Sequence, residues 1–226
     1  MSNAVPLVLF GGSFDPIHNG HLWMARSVFE QFKEIDIQLD IRFLPTACSP
    51  FKQTQTSAKH RLDMLRLALR DTPFSIDKTE IYSTSTPFTI DTLNSIRQRF
   101  GSTRPVIFMM GQDSLDSLPR WKAGFELLKK THLWIFPRID EKKTDSLTLP
   151  TEIQNKQIFN LKDLCLNPNG LIYLDNNTPP HLSSSLIREH SATSEHSILL
   201  KKSLPSRVLA YNRKTKLYGF TSPYES

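Results

Sequence analysis

The chain has 226 residues, 38% of them hydrophobic and 22% charged, a balance that excludes a disordered polymer and suits a globular protein with a sizeable core. No apolar run approaches the roughly 20 residues that cross a bilayer, and the opening "MSNAVP" lacks the basic flank and long apolar stretch of a secretory signal, so a cytoplasmic protein without membrane contact is expected. The formal net charge of +6 favours anionic partners, namely nucleotides, phosphorylated metabolites or nucleic acid, without choosing among them.

At about 150 residues per domain the length allows one large domain, and a single domain over residues 1–226 is the simplest reading. Val5 to Phe10 is a continuous apolar run ended by Gly11 and Gly12, as expected for a strand buried on both faces of a parallel sheet. Leu22, Ala25, Val28 or Phe29, and Phe32 then recur at helical spacing, which predicts a helix over roughly 20–33 with one face on the sheet. Alternation from Ile35 to Leu44, broken at Pro45, predicts a second strand. Ser57 to Arg70 carries Leu62, Leu65 and Leu69 on one helical face, Phe74 to Asp77 reads as a short strand, and Thr89 to Phe100 as a helix capped by Gly101. Pro105 to Gly111 repeats the design of the first strand, and a further strand starts at His132. Residues 140–180 are polar and interrupted and read as an insertion, with Leu171 to Leu174 as the last strand. "SSSLIREH" and Ser206 to Tyr211 read as closing helices. Strands alternating with helices predict an α/β fold with a doubly wound, mostly parallel sheet, whose strand C-termini share the rim where ligands bind.

Cys48 and Cys165 form no CxxC pair and read as incidental thiols, and "NNT" at Asn176 is a chance match to a glycosylation acceptor. The chemistry concentrates in "GGSFDPIHNGH". A dinucleotide-binding GxGxxG would need glycines at other offsets, and a P-loop would need a Gly-Lys-Ser/Thr ending, so neither fits. His18 and His21 lie about one helical turn apart at a helix start, where free N–H groups and the helix dipole attract anions, and Gly20 would let a phosphate approach the backbone. An isolated pair of this kind reads more readily as surface or capping histidines, and the chain offers no further His/Cys cluster of zinc-ligand spacing.

"GGSFDPIHNGH" resembles the first signature of the HxGH nucleotidyltransferase superfamily, and the chain as a whole resembles bacterial nicotinate-nucleotide adenylyltransferases. The resemblance continues through "LPTACSPFK", "RLDMLRLAL", "TPFTIDTL", "MMGQDSLDSLPRWKAGFELL" and "LSSSLIRE". It departs at Phe51, where histidine is usual, at Phe88 in place of tyrosine, at Ser185 in place of threonine, at Lys122 in place of an aromatic, and at "RID" in place of Arg-Pro-Gly.

The resemblance implies a Rossmann-like nucleotidyltransferase fold with C-terminal helices, and adenylyl transfer from ATP to nicotinate mononucleotide with release of pyrophosphate in NAD biosynthesis. It implies Mg²⁺ entering with ATP, with no protein side chain as metal ligand. His18, His21 and Arg188 would be the catalytic groups. Gly11, Gly12, Ser13, Phe14, Lys52, Gly111, Asp113, Ser184 and Ser185 would bind ATP and its phosphates, and Thr89 and Trp121 the pyridine nucleotide. An adenylyltransferase preferring nicotinamide mononucleotide is the nearest alternative. A non-catalytic nucleotide- or nucleic-acid-binding protein is the alternative from another class, the nucleic-acid reading disfavoured because no basic stripe is interleaved with aromatics and the non-catalytic one because both histidines and Arg188 are intact. A homo-oligomer is compatible with the sequence.

Overall fold

Leu7, Val8, Leu9 and Phe10 alternate between two hydrophobic cores, because successive side chains of a strand point to opposite faces and helices cover both faces of this sheet. The computed structural model describes residues 4–47, 56–83, 87–137, 149–191 and 197–220. Among them run seven strands, β1 (Leu7–Gly12), β2 (Asp40–Pro45), β3 (Ser75–Ile76), β4 (Val106–Gly111), β5 (His132–Phe136), β6 (Gln157–Ile158) and β7 (Ile172–Leu174). They form one sheet in the order β3-β2-β1-β4-β5-β7-β6, with every pairing parallel. The helices are α1 (Asn19–Glu34), α2 (Ala58–Leu69), α3 (Thr89–Phe100), α4 (Gln112–Ser117), α5 (Asp163–Leu166), α6 (Ser184–His190), α7 (Ser197–Ser203) and α8 (Ser206–Thr215). This is the doubly wound α/β sheet the sequence predicts.

One core joins Val8, Phe10 and Phe43 to Ala25, Val28 and Phe32 of α1 and Leu65 of α2. The other joins Leu7, Leu9, Val106 and Phe108 to Leu93 and Ile96 of α3 and Leu115 of α4. Each large apolar side chain fully buried in this way contributes about 1.5–3 kcal/mol. The chain winds outward from β1 through β2 to β3, then crosses back to β4 on the other side of β1. The strand order reverses between β1 and β4, and a crevice at such a switch point, outside the strand C-termini, is where ligands bind in open α/β sheets. Phe10 pairs with Met109, so the two strands that end in glycine finish at one level.

Two local expectations change. β2 starts at Asp40 rather than Ile35, because Ile35 caps α1 and Asp36 turns the chain with φ of 59°. The alternating Ile35, Ile37 and Leu39 pack as a cover on the first core instead of pairing in the ladder. Of the stretch read as a polar insertion, residues 149–180 extend the sheet through β7 and the additional strand β6. Leu149, Ile153, Leu164 and Ile172 are all buried. Ile158, Leu161, Leu171, Tyr173 and Leu174 pack partly buried beside them, so the stretch carries an apolar side among its polar residues.

Candidate functional site at the sheet switch point

β1 runs into the turn Ser13 to His18 and then into α1, so the first signature stands at the C-terminal rim beside β4. A Cβ on Gly11 would meet the Phe108 ring at 2.7 Å, and one on Gly12 the Phe14 ring at 3.0 Å. These glycines therefore admit two aromatic rings that floor the turn. Phe14 is buried with φ of 49°, and Ser13 is half-buried.

His18 is the N-cap of α1 and His21 its third residue. The His18 backbone N–H donates to His21 Nδ1 at 3.2 Å, and the two imidazoles stack with centroids 3.6 Å apart and planes 24° from parallel. An accepting Nδ1 leaves the His21 proton on Nε2, so the ring donates from that nitrogen. His21 is half-buried, whereas His18 is 5% exposed, and burial lowers the His18 pKa to about 3. His18 is consequently neutral at physiological pH, and its buried Nδ1 has no hydrogen-bond partner among the described residues. Gly20 is buried, and a Cβ there would stand 3.0 Å from His18 Nδ1 and 3.5 Å from Leu182 Cβ. Its lack of a side chain makes room for the His18 imidazole.

The late serine-arginine segment lies against this turn. Ser183 caps α6 by accepting from the Leu186 N–H at 3.1 Å, Ser184 Oγ donates to the Pro16 carbonyl at 2.9 Å, and Arg188 Nη1 donates to the Asp15 carbonyl at 2.7 Å. Arg188 Nη2 also donates to Ser185 Oγ at 3.2 Å. A guanidinium has five N–H donors, and these contacts engage two, leaving others for phosphate oxygens. The structure thus brings His18, His21, Ser184, Ser185 and Arg188 to one end of the sheet. Gly111 caps α4 at the end of the neighbouring β4 with open space above its Cα, and Asp113 is exposed in the first turn. Lys52 and Phe51 lie outside the described residues, as does "RID" at 138–140.

Thr89 opens α3, half-buried, on the opposite face of the sheet from α1. Trp121 packs partly buried on that second core and donates its Nε1–H to Ser117 Oγ at 3.0 Å. Lys122 joins the two segments. Its ammonium is 2.9 Å from Asp91 and 4.7 Å from the centre of the Phe88 ring. Phe88 and Lys122, two separate departures in sequence, are therefore one cation-π contact in space, worth about 0.5–1 kcal/mol at an exposed site.

Two groups escaped the sequence reading. Arg61 of α2 is 1% exposed and donates to four backbone carbonyls, those of Thr46 at 2.7 Å, Ser13 and Ala47 at 3.0 Å each, and Thr56 at 3.3 Å. It binds the ends of β1 and β2 to the start of α2. A basic residue flanking an amphipathic stripe reads as a solvated side chain, so the pattern carries no signal for it. Glu80 is 4% exposed and accepts from Thr92 Oγ1 at 2.6 Å. Burial pushes its pKa up to about 7, Asp77 adding to the rise and the Thr92 bond opposing it.

Because the folded-state pKa of Glu80 is raised, the folded protein holds its proton more tightly, so this contribution is complete below about 4.5 and is lost as pH rises through about 7. His18 and His132, depressed to about 3 and about 4, act in the opposite sense, losing stability as pH falls below about 6.5. Comparison with Glu80→Gln cancels the histidine contributions. From pH 5 to pH 8 the wild-type Tm should fall relative to that of the variant, by roughly 5 °C for a change of about 2 kcal/mol. Parallel Tm curves would mean that Glu80 is not held as a neutral acid.

Residues 9–190 match the model of the cytidylyltransferase-like family. A Hahella chejuensis protein named as a nicotinate-nucleotide adenylyltransferase is 34% identical over 97% of this chain and 98% of its own length. The chain belongs to the nicotinate-nucleotide adenylyltransferase family. A Yersinia enterocolitica adenylyltransferase of the same name is 36% identical over 93% of this chain and 94% of its own. The fold also matches a Plasmodium falciparum nicotinic acid mononucleotide adenylyltransferase complexed with NaAD, with a TM-score of 0.68 over 96% of this chain and 98% of that one, at 21% identity. As an adenylyltransferase, the protein has its two histidines at the start of α1 on one face of the sheet and its Thr89 and Trp121 segments on the other. Among the described residues no helix is long and apolar enough to cross a membrane, and no group of three or more His, Cys, Asp or Glu could hold a metal ion.

Proposed function

We propose that this protein transfers the adenylyl group of ATP to nicotinate mononucleotide in the cytoplasm. The 5′-phosphate oxygen of the mononucleotide bonds to the α-phosphorus, the α–β anhydride bond breaks, and pyrophosphate leaves with the electron pair. No side chain forms a covalent intermediate, so the protein has to align the two substrates and stabilise charge on the α-phosphate and the leaving group. The His21 imidazole and the remaining N–H groups of Arg188 act as donors to the phosphates, while Mg²⁺ enters as part of the ATP substrate. Ser184, Ser185, Lys52, Gly111 and Asp113 serve the ATP side, and Thr89 and Trp121 the pyridine side.

The observation that carries this reading is the contact of Arg188 with Asp15, 173 residues apart in sequence, which sets a guanidinium beside the histidine turn. On the pyridine side, the Thr89 and Ile90 N–H groups at the start of α3 favour a carboxylate over a neutral amide, while the Lys122 ammonium is already paired with Asp91. The test is pyrophosphate release from ATP and Mg²⁺ with nicotinate mononucleotide, nicotinamide mononucleotide and phosphopantetheine assayed in parallel. The acid should give the highest kcat/KM. Equal efficiency with acid and amide would remove the selectivity, and no release with any of the three would defeat the reading.

A further inference from the structure

Asp15 is where the C-terminal part of the chain grips the histidine turn. It is 2% exposed and stands three residues before His18. Its backbone carbonyl accepts from Arg188 at 2.7 Å, and its carboxylate accepts from the Tyr218 hydroxyl at 2.5 Å across 203 residues of sequence. Tyr218 lies in a single 3-10 turn, Leu217–Gly219, with φ of 56°. A tyrosine adopts that left-handed conformation only where its surroundings enforce it. Ser191, just past α6, has its hydroxyl against the carbonyls of both Arg188, at 2.8 Å, and Tyr218. The arginine and the tyrosine therefore meet Asp15 as parts of one connected unit.

We infer that Tyr218 is a positioning residue for adenylyl transfer, acting through the Asp15 carboxylate to set how Arg188 and the histidines stand relative to one another. The inference rests on the adenylyl-transfer reading and deepens it. The Asp15 carbonyl decides where the Arg188 guanidinium points, and hence where its remaining donors aim. The orientation of the Asp15 peptide is in turn held by the carboxylate at the other end of the same residue. A tyrosine hydroxyl suits this task because it is a protonated donor at physiological pH and meets the carboxylate directly, burial only raising its pKa further. Removing the hydroxyl alone leaves the Tyr218 ring packed against the first core and leaves the Ser191 contact with the Tyr218 carbonyl in place. The effect should therefore fall on the geometry of the turn more than on folding.

The experiment compares the full-length wild type with Tyr218→Phe, Asp15→Asn and the double variant, using ATP, Mg²⁺ and nicotinate mononucleotide, with Tm measured on each. A wild type that releases no pyrophosphate would defeat the adenylyl-transfer reading itself. Given an active wild type, Tyr218→Phe should lower kcat about tenfold, since sub-ångström misplacement of reacting groups is costly, while Tm moves by only a few degrees. The same substitution should cost less in the Asp15→Asn background, where the tyrosine faces a neutral amide. The inference is overturned by wild-type kcat and KM in Tyr218→Phe, by equal costs in both backgrounds, or by a rate loss no larger than the loss of folded protein.

Discussion

His21→Ala should lower kcat by about a hundredfold to a thousandfold, the range seen when one positioned donor to a developing oxyanion is removed. The alanine loses two things at once, the acceptor for the His18 N–H and the rest of the imidazole as a donor. His21→Gln separates them. A glutamine at the third helical position accepts from the N-cap N–H as in a capping box, so it should recover most of any Tm lost in the alanine variant. It should not recover the rate, because its amide cannot reproduce the position of an imidazole stacked 3.6 Å above His18. Steady-state kinetics and Tm on the two variants are the measurements. A glutamine variant with near-wild-type kcat would show that the imidazole itself is dispensable.

Arg61→Met should have the largest effect on stability. Four carbonyls, at the ends of β1 and β2 and at the start of α2, lose a donor together. Each buried acceptor left unsatisfied costs about 1–3 kcal/mol, and relaxation and entering water reduce the sum, so a total loss of about 3–5 kcal/mol is expected. For a chain of this size that corresponds to a fall in Tm of roughly 10 °C or more. Arg61→Lys should recover only part, since an ammonium is a compact point and cannot reach four carbonyls spread across a planar fork. A drop of less than about 1 kcal/mol in Arg61→Met, measured by denaturant unfolding, would mean that the carbonyls find other donors easily.

Much of this molecule was legible in local pattern. The runs ending at Gly12 and Gly111 read as central strands because both faces of each are buried, so no polar position interrupts them. The helix over Thr89–Phe100 was bounded by its own residues, since Gly101 takes a φ of 86° that a side chain would resist. The histidine pair could be placed on one face because three residues is close to one helical turn, a distance the sequence itself measures. Where apolar alternation misled, at Ile35 to Leu39, burial against a core imitated the pattern of a ladder.

The α/β winding, the glycine-ended strands at the switch point and the residue types that a phosphate site requires can be read along the chain, because each depends on neighbours within a few positions. Only the tertiary structure decided that Arg188 hangs on Asp15, that Arg61 fans over four carbonyls, that Phe88 and Lys122 are one contact, and that Tyr218 reaches the histidine turn. Apart from the bond of Arg61 to Thr56, five positions away, those pairs lie between 14 and 203 positions apart, and a contact at such range is set by how helices dock on the sheet, which leaves no periodicity in the chain to read.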